Sequence, residues 1–164
     1  MARIAGVFRR LIDKELLYPF SIMDRIITTL SASPHCSPLR VFVIEDSEPV
    51  RDLIIESLLD IPGIVVCGFS DSENDALKQL AMQSFDVILL DIELSQGNGM
   101  SLLRSLATSA HQADKVKIIF SNNISDAYRR EGQRYGAHYF FDKTSEFLQL
   151  HRLLEKLAAG IPVT

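Results

Sequence analysis

Four aliphatic residues, Val87 to Leu90, form an unbroken run that stops at Asp91 and gives way to a polar, glycine-containing stretch ending at Gly99. A short continuous apolar run reads as a parallel strand covered on both faces, and in open α/β sheets ligands sit beyond the carboxyl ends of such strands. Asp91 falls on that rim. Taken alone, an aspartate there equally well starts a turn or caps the next helix. Three other apolar runs end in the same way. Val41 to Ile44 meets Glu45 and Asp46, Val116 to Phe120 meets Ser121, and Tyr139 to Phe141 meets Asp142 and Lys143. Clustered carboxylates at a strand edge suit a hard divalent cation, which is typically held by one or two of them together with phosphate oxygens and waters. A lysine and a hydroxyl complete a phosphoryl site.

From Leu39 onward, apolar runs alternate with amphipathic stretches. Strands are expected near 41–44, 64–68, 87–90, 115–120 and 138–141, and helices near 48–59, 73–82, 100–109, 125–135 and 146–157. Five βα units in this order predict a parallel sheet with helices on both faces. Ser47 with Pro49, Ser72 and Ser145 are expected at helix starts.

With the acidic pair Glu45-Asp46, then Asp91, the loop Gly97-Asn98-Gly99, Ser121 and Lys143 in this order, the chain resembles the receiver domains of two-component response regulators from Leu39 to about Ala159. The resemblance implies a flavodoxin-like, doubly wound sheet of order 2-1-3-4-5 and an aspartate, Asp91, that accepts a phosphoryl group from a phosphohistidine. By the same resemblance Mg²⁺ (or Mn²⁺) would be bound by Asp46 and Asp91 directly, by Glu45 through water, and by the backbone carbonyl of Glu93. Lys143 would pair with a phosphoryl oxygen. Ser121 would hydrogen-bond the phosphoryl group, and Phe140 would be the aromatic switch residue, although a packing role in the core serves Phe140 equally well. Glu93 and Asn123 would tune the lifetime of the phosphoryl group.

The chain departs from the family at three points. Ser95 stands where receivers usually have proline four residues after the acceptor, and Thr144 stands where proline usually follows the lysine. A cis peptide after Lys143 is therefore not expected. Phe140 replaces a more usual tyrosine, which removes a hydroxyl from that position.

Charge and length bound the rest. Residues 1–38 hold five of the 17 Lys/Arg and three of the 21 Asp/Glu, leaving twelve and eighteen, so the body carries −6 against +2 for the extension. An acidic body with no basic stripe argues against direct nucleic-acid binding, which needs clustered Lys/Arg. Cys36 and Cys67 share no CxxC spacing and the four histidines form no zinc pattern; Cys67 reads as a small core residue. No run has the 18 or more apolar residues of a membrane span, and Arg9, Arg10, Asp13, Lys14 and Glu15 interrupt any secretory core, which leaves the cytoplasm as the default.

Residues 1–38 read as a helical extension and linker, and 39–164 as the receiver. Ile4, Val7, Phe8, Leu11 and Ile12 form one helical stripe, and Ile22, Met23, Ile26, Ile27 and Leu30 a second. Helices this short need something to pack on. A homodimer contact leads, ahead of docking on the chain's own body, a partner or a membrane surface. A frayed tail, or translation starting at Met23, is the plainer alternative.

Nothing like an output domain follows Leu157. The expected function is thus a stand-alone receiver. It would take its phosphoryl group from a histidine kinase or histidine phosphotransfer protein and act on a downstream protein, with no enzymatic turnover beyond its own phosphorylation and dephosphorylation. Two alternatives stand beside it. One is a phosphorylation-independent interaction module on the same fold. The other is a small aspartate-nucleophile phosphatase of the haloacid dehalogenase type, whose DxDxT motif the residues Asp91 to Ser95 superficially echo.

Overall fold

The computed structural model describes residues 37–109 and 114–163. The two helical stripes expected in the extension, and the dimer contact expected of them, lie outside these residues. Ten elements alternate along the chain: β1 (Leu39–Ile44), α1 (Glu48–Leu59), β2 (Ile64–Ser70), α2 (Glu73–Met82), β3 (Val87–Leu90), α3 (Gly99–Ala107), β4 (Val116–Ser121), α4 (Asp126–Arg134), β5 (Tyr139–Asp142) and α5 (Phe147–Ala158). The strands form one sheet in the order β2-β1-β3-β4-β5, and every pairing is parallel. This is the flavodoxin-like architecture that the resemblance implied.

The unbroken apolar runs follow from two cores. Side chains alternate across a strand with period two. Val41, Val43, Val87, Leu89, Ile118 and Phe120 therefore face one side, where α1 contributes Ile54 and Leu58 and α5 contributes Phe147, Leu150 and Leu154. Phe42, Ile44, Ile88, Leu90 and Ile119 face the other, against Ala76 and Leu80 of α2 and Leu102, Leu103 and Leu106 of α3. All four residues of β3 are at most 2% exposed, so the central strand has no polar position to offer until Asp91.

Helix α4 is the polar one. Its only buried residue is Gly132, and a Cβ there would lie 2.8 Å from Phe140 Cε1 and 3.0 Å from Ile119 Cδ1. The missing side chain is what lets the Phe140 ring lie against this helix.

The differences from the expected elements are at their ends. Strand β4 takes in Ser121 and β5 takes in Asp142, so both residues belong to the ladder rather than to the loop after it. Ser145 does not cap α5. Its hydroxyl and amide, with the amide of Thr144, donate to Asp142 Oδ1 in a tight turn, and Glu146 takes the cap position. Ser47 and Ser72 occupy cap positions without a side-chain cap bond. The side-chain caps are Asn98, which accepts from the amides of Met100 and Ser101, and Ser125, which accepts from the amide of Tyr128. Cys67 is a half-buried strand residue, its thiol pushed up by burial and donating to the Val41 carbonyl at 3.4 Å.

Gly99 ties the fold to the rim. It starts α3 in direct contact with the backbone that follows β3, and a Cβ there would lie 2.1 Å from the carbonyl oxygen of Asp91 and 2.9 Å from Ile92 Cα. Both obstacles are backbone, so neither can rotate away. Gly99→Ala is expected to destabilise the fold by about 2 kcal/mol or more, the cost of forcing a methyl group into close-packed structure. Urea unfolding checks it, and a midpoint equal to that of the wild type would refute the tight contact.

Candidate functional site

The sheet carries its ladder one step beyond the strands and so delivers the polar residues to one edge. The amide of Asp91 donates to the Ile44 carbonyl at 3.0 Å, that of Glu45 to the Ser70 carbonyl at 3.0 Å, and that of Lys143 to the Ser121 carbonyl at 3.2 Å. These bonds fix the residues after β3, β1 and β5 against the ends of β1, β2 and β4 respectively.

The side chains then meet. Lys143 Nζ bonds Glu45 Oε2 and lies 2.5 Å from Asp91 Oδ2. Lys143 is 3% exposed, Glu45 2% and Asp91 7%, so this is a buried three-charge cluster and not a surface pair. On the other oxygen of Asp91, Ser121 Oγ donates at 2.6 Å and the Glu93 amide at 3.2 Å. Asp46 stands beside them half-buried, with its Oδ2 accepting from the Ser95 amide at 3.0 Å. Glu45, Asp46 and Asp91 each present a carboxylate oxygen, all within 4.8 Å of one another. Three hard oxygens at one rim match what Mg²⁺ or Mn²⁺ takes, so these residues fit such an ion.

Electrostatics single out Glu45. Burial holds its carboxyl above the ordinary range, and the negative charge of Asp91 adds to the rise; Lys143, as a charge and as a hydrogen-bond donor, and the Ser47 amide oppose it. Crowding of like charges is thus the smaller cause, and desolvation the larger.

The remaining expected residues are placed as follows. Ser121 is bonded to Asp91 already in this state, where the resemblance implied a bond to a phosphoryl oxygen. Asn123 Nδ2 donates to Glu93 Oε1 at 3.0 Å, which joins the two lifetime-tuning candidates to each other at the exposed mouth of the site. Phe140 is half-buried with its ring near Ile119 and Gly132, and the Arg129 guanidinium lies 5.5 Å from its centroid. Asp142 stays outside the cluster, held in the turn it forms with Thr144 and Ser145. No cis peptide occurs among the described residues.

Three contributors carried no signal that pointed to the site. The Ser95 amide reaches Asp46, Arg51 Nη1 donates to the Glu45 carbonyl at 3.1 Å while its guanidinium lies 4.7 Å from the Phe69 centroid, and Glu73 reaches the loop after β3. Each acts through backbone groups or distant elements. In the sequence Glu73 is an ordinary acid in the first turn of a helix.

Comparison with known proteins adds the family. Residues 41–155 match the family described as Response regulator receiver domain. The chain is 27% identical to the transcriptional regulatory protein CitB of Klebsiella pneumoniae over 73% of its own length and 50% of that protein. It is 36% identical to protein-glutamate methylesterase/protein-glutamine glutaminase 5 of Myxococcus xanthus, over 52% of its own length and 24% of that protein. The chain therefore spans half or less of the length of these curated relatives. Among solved structures, the response regulator domain of Thermotoga maritima CheB aligns with a TM-score of 0.65 and 25% identity, covering 75% of this chain and 95% of that one. A LuxR-family response regulator from Aurantimonas sp. SI85-9A1 shares the fold, with a TM-score of 0.68 and 20% identity over 78% of this chain and 90% of that one.

The raised Glu45 carboxyl fixes a pH dependence. A carboxyl whose folded value lies above its unfolded value binds its proton more tightly in the folded state. Its contribution to stability is present below the unfolded value of about 4.3 and is lost as pH rises through the folded one. Without added divalent cation, the melting temperature of the wild type is thus expected to fall relative to that of Glu45→Gln as pH rises from about 4 to 8. Parallel curves would refute the assignment.

Proposed function

The chain belongs to the response regulator receiver family, and from that premise we propose that Asp91 is its phosphoacceptor, taking a phosphoryl group from the phosphohistidine of a kinase or phosphotransfer protein. The observation that carries this reading is the buried cluster of Lys143 with Glu45 and Asp91. Sequestering three charges costs several kcal/mol per ion before pairing repays it. That cost gives a module without phosphoryl chemistry little reason to keep such an arrangement.

Asp91 acts as a covalent nucleophile. One of its carboxylate oxygens forms a bond to phosphorus as the P–N bond to the donor histidine breaks, and the electron pair leaves with the imidazole nitrogen. The obstacle is charge, because an anion attacks an anion. Glu45, Asp46 and Asp91 would hold the divalent cation, with the Glu93 carbonyl as a further ligand, and the ion when bound supplies positive charge to both reacting groups. Lys143 would add a second positive charge. Its ammonium is already directed at the Asp91 carboxylate, so it need not reorganise to meet the incoming oxygens.

Ser121 and Phe140 form the switch. A phosphoryl group brings strong acceptor oxygens to the hydroxyl that now donates to Asp91. Ser121 follows them, and the Phe140 ring and the α4 surface against it respond. Glu93 and Asn123, bonded across the mouth, govern how readily water reaches the acyl phosphate. The role is that of a receiver signalling in the cytoplasm to a downstream protein, with residues 1–38 as a dimer contact and no direct hold on nucleic acid.

The decisive experiment is intact-mass spectrometry after incubation with Mg²⁺ and a small acyl phosphate. Wild type is expected to gain about 80 Da, one phosphoryl group, while Asp91→Ala and chelated samples gain nothing. No adduct in wild type, from either the small donor or a phosphorylated kinase, overturns the reading. For the switch, Ser121→Ala is expected to take up the phosphoryl group yet lose the phosphorylation-dependent change in hydrogen exchange over residues 126–142. A change as large as in wild type refutes the role of Ser121.

A further inference from the structure

The loop from Ile92 to Asn98 carries Glu93 and Ser95 to the site; Ile92 is buried and Leu94 packs half-buried against the core, but its second half, Ser95 to Asn98, is exposed and has no apolar anchor. Something else must hold it. The structure assigns that task to Glu73: we propose that Glu73 is a positioning residue which clamps this loop from α2 and so sets the Ser95 amide on Asp46. The inference rests on the reading of Asp46 as a cation ligand.

Four contacts converge on Glu73. Its own amide donates to the Gln96 carbonyl at 3.1 Å, next to a parallel bridge between Ser72 and Gln96. Its Oε2 accepts from the Asn98 amide at 2.9 Å, and its Oε1 accepts from Ser101 Oγ at 2.6 Å. Between these bonds lies Gly97 with φ of +93°, where a Cβ would sit 2.4 Å from Glu73 Cβ. Only glycine adopts that backbone freely and admits so close a neighbour. One carboxylate thus grips both the end of the loop and the first turn of α3. An acid placed there merely to complement the dipole of its own helix needs none of these partners.

The clamp faces the site at its other end. Ser95 is one residue before Gln96, and its N–H is the donor that holds Asp46 Oδ2. A proline at 95 has no N–H to give. Hydrogen bonds from backbone amides to carboxylates are charge-assisted and directional, so they fix the rotamer of the acid that accepts them. Glu73 therefore acts on Asp46 through the backbone of the loop, without touching it.

Calorimetric titration of the full chain with Mg²⁺ alone tests this. Glu73→Ala is expected to raise the Mg²⁺ Kd about fivefold, the scale of one lost hydrogen bond. Glu73→Gln keeps an acceptor for the Asn98 amide and is expected to restore the Kd to within about twofold. Ser101→Ala, which leaves α2 intact, gives a smaller rise in the same direction and serves if Glu73→Ala does not fold. In a Ser95→Pro background Glu73→Ala has no further effect, because the link to Asp46 is already cut; a merely structural role would not vanish there. A wild-type Kd in both folded Glu73→Ala and Ser101→Ala, or an undiminished effect in the Ser95→Pro background, overturns the proposal. If wild type itself takes up no Mg²⁺, it is the reading of the cation site that fails, and the proposal with it.

Discussion

A lysine ammonium buried between two carboxylates is the constraint around which this molecule is arranged. Ions of this kind stay charged in a poorly solvated place only if each finds partners at hydrogen-bonding distance. Lys143 has Glu45 and Asp91; Asp91 has Ser121 and the Glu93 amide as well. At Glu45 burial outweighs the opposing pull of Lys143 and holds the carboxyl above its ordinary range. A cation or a phosphoryl group that brings new partners to these atoms changes the balance at once.

Holding three charged groups from three strands in register requires a scaffold that does not yield. The two cores provide it. Strands β1, β3 and β4 are packed on both faces by large aliphatic and aromatic side chains, and interiors this dense resist displacement. The ladder bonds that run past the strand ends carry the same rigidity into Glu45, Asp91 and Lys143. Beyond Asp91 the mode of support changes. The loop depends on backbone amides donated to carboxylates, Ser95 to Asp46 and Asn98 to Glu73, and on the contact of Gly99 with the Asp91–Ile92 backbone. The sheet is held by apolar packing, and the exposed half of the loop beyond Leu94 by polar contacts.

Much of this was legible in the residue order. The runs Val41 to Ile44 and Val87 to Leu90 identify central strands because a strand covered on both faces tolerates no polar side chain. The polar residues that end those runs identify the rim for the same reason. Helices α1 and α2 begin and end where their periodicity says. The capping serines were less legible. Ser145 has the right residue type next to a helix, but the carboxylate of Asp142, three residues earlier, competes for its hydroxyl and captures it. Ser47 and Ser72 show that a residue can occupy a cap position without its side chain bonding the helix.

What the sequence determined by itself was the set of layers and the chemistry at their edge: alternating strands and helices, two faces of the central strands buried, and acids, a hydroxyl and an ammonium at the carboxyl ends. These follow from local periodicity and from the abrupt end of each apolar run, both of which are properties of neighbouring residues. Tertiary structure alone decided who pairs with whom. That Lys143 takes Glu45 as well as Asp91, that Glu73 reaches Asn98 and Ser101, and that Asp46 meets the amide of Ser95 depend on strand order and on how adjacent helices start. Those contacts join residues 25 to 98 positions apart. Hydrogen-bond partners at such separations leave no periodic trace in the chain, because direction and distance come into being only when the sheet closes around its cores.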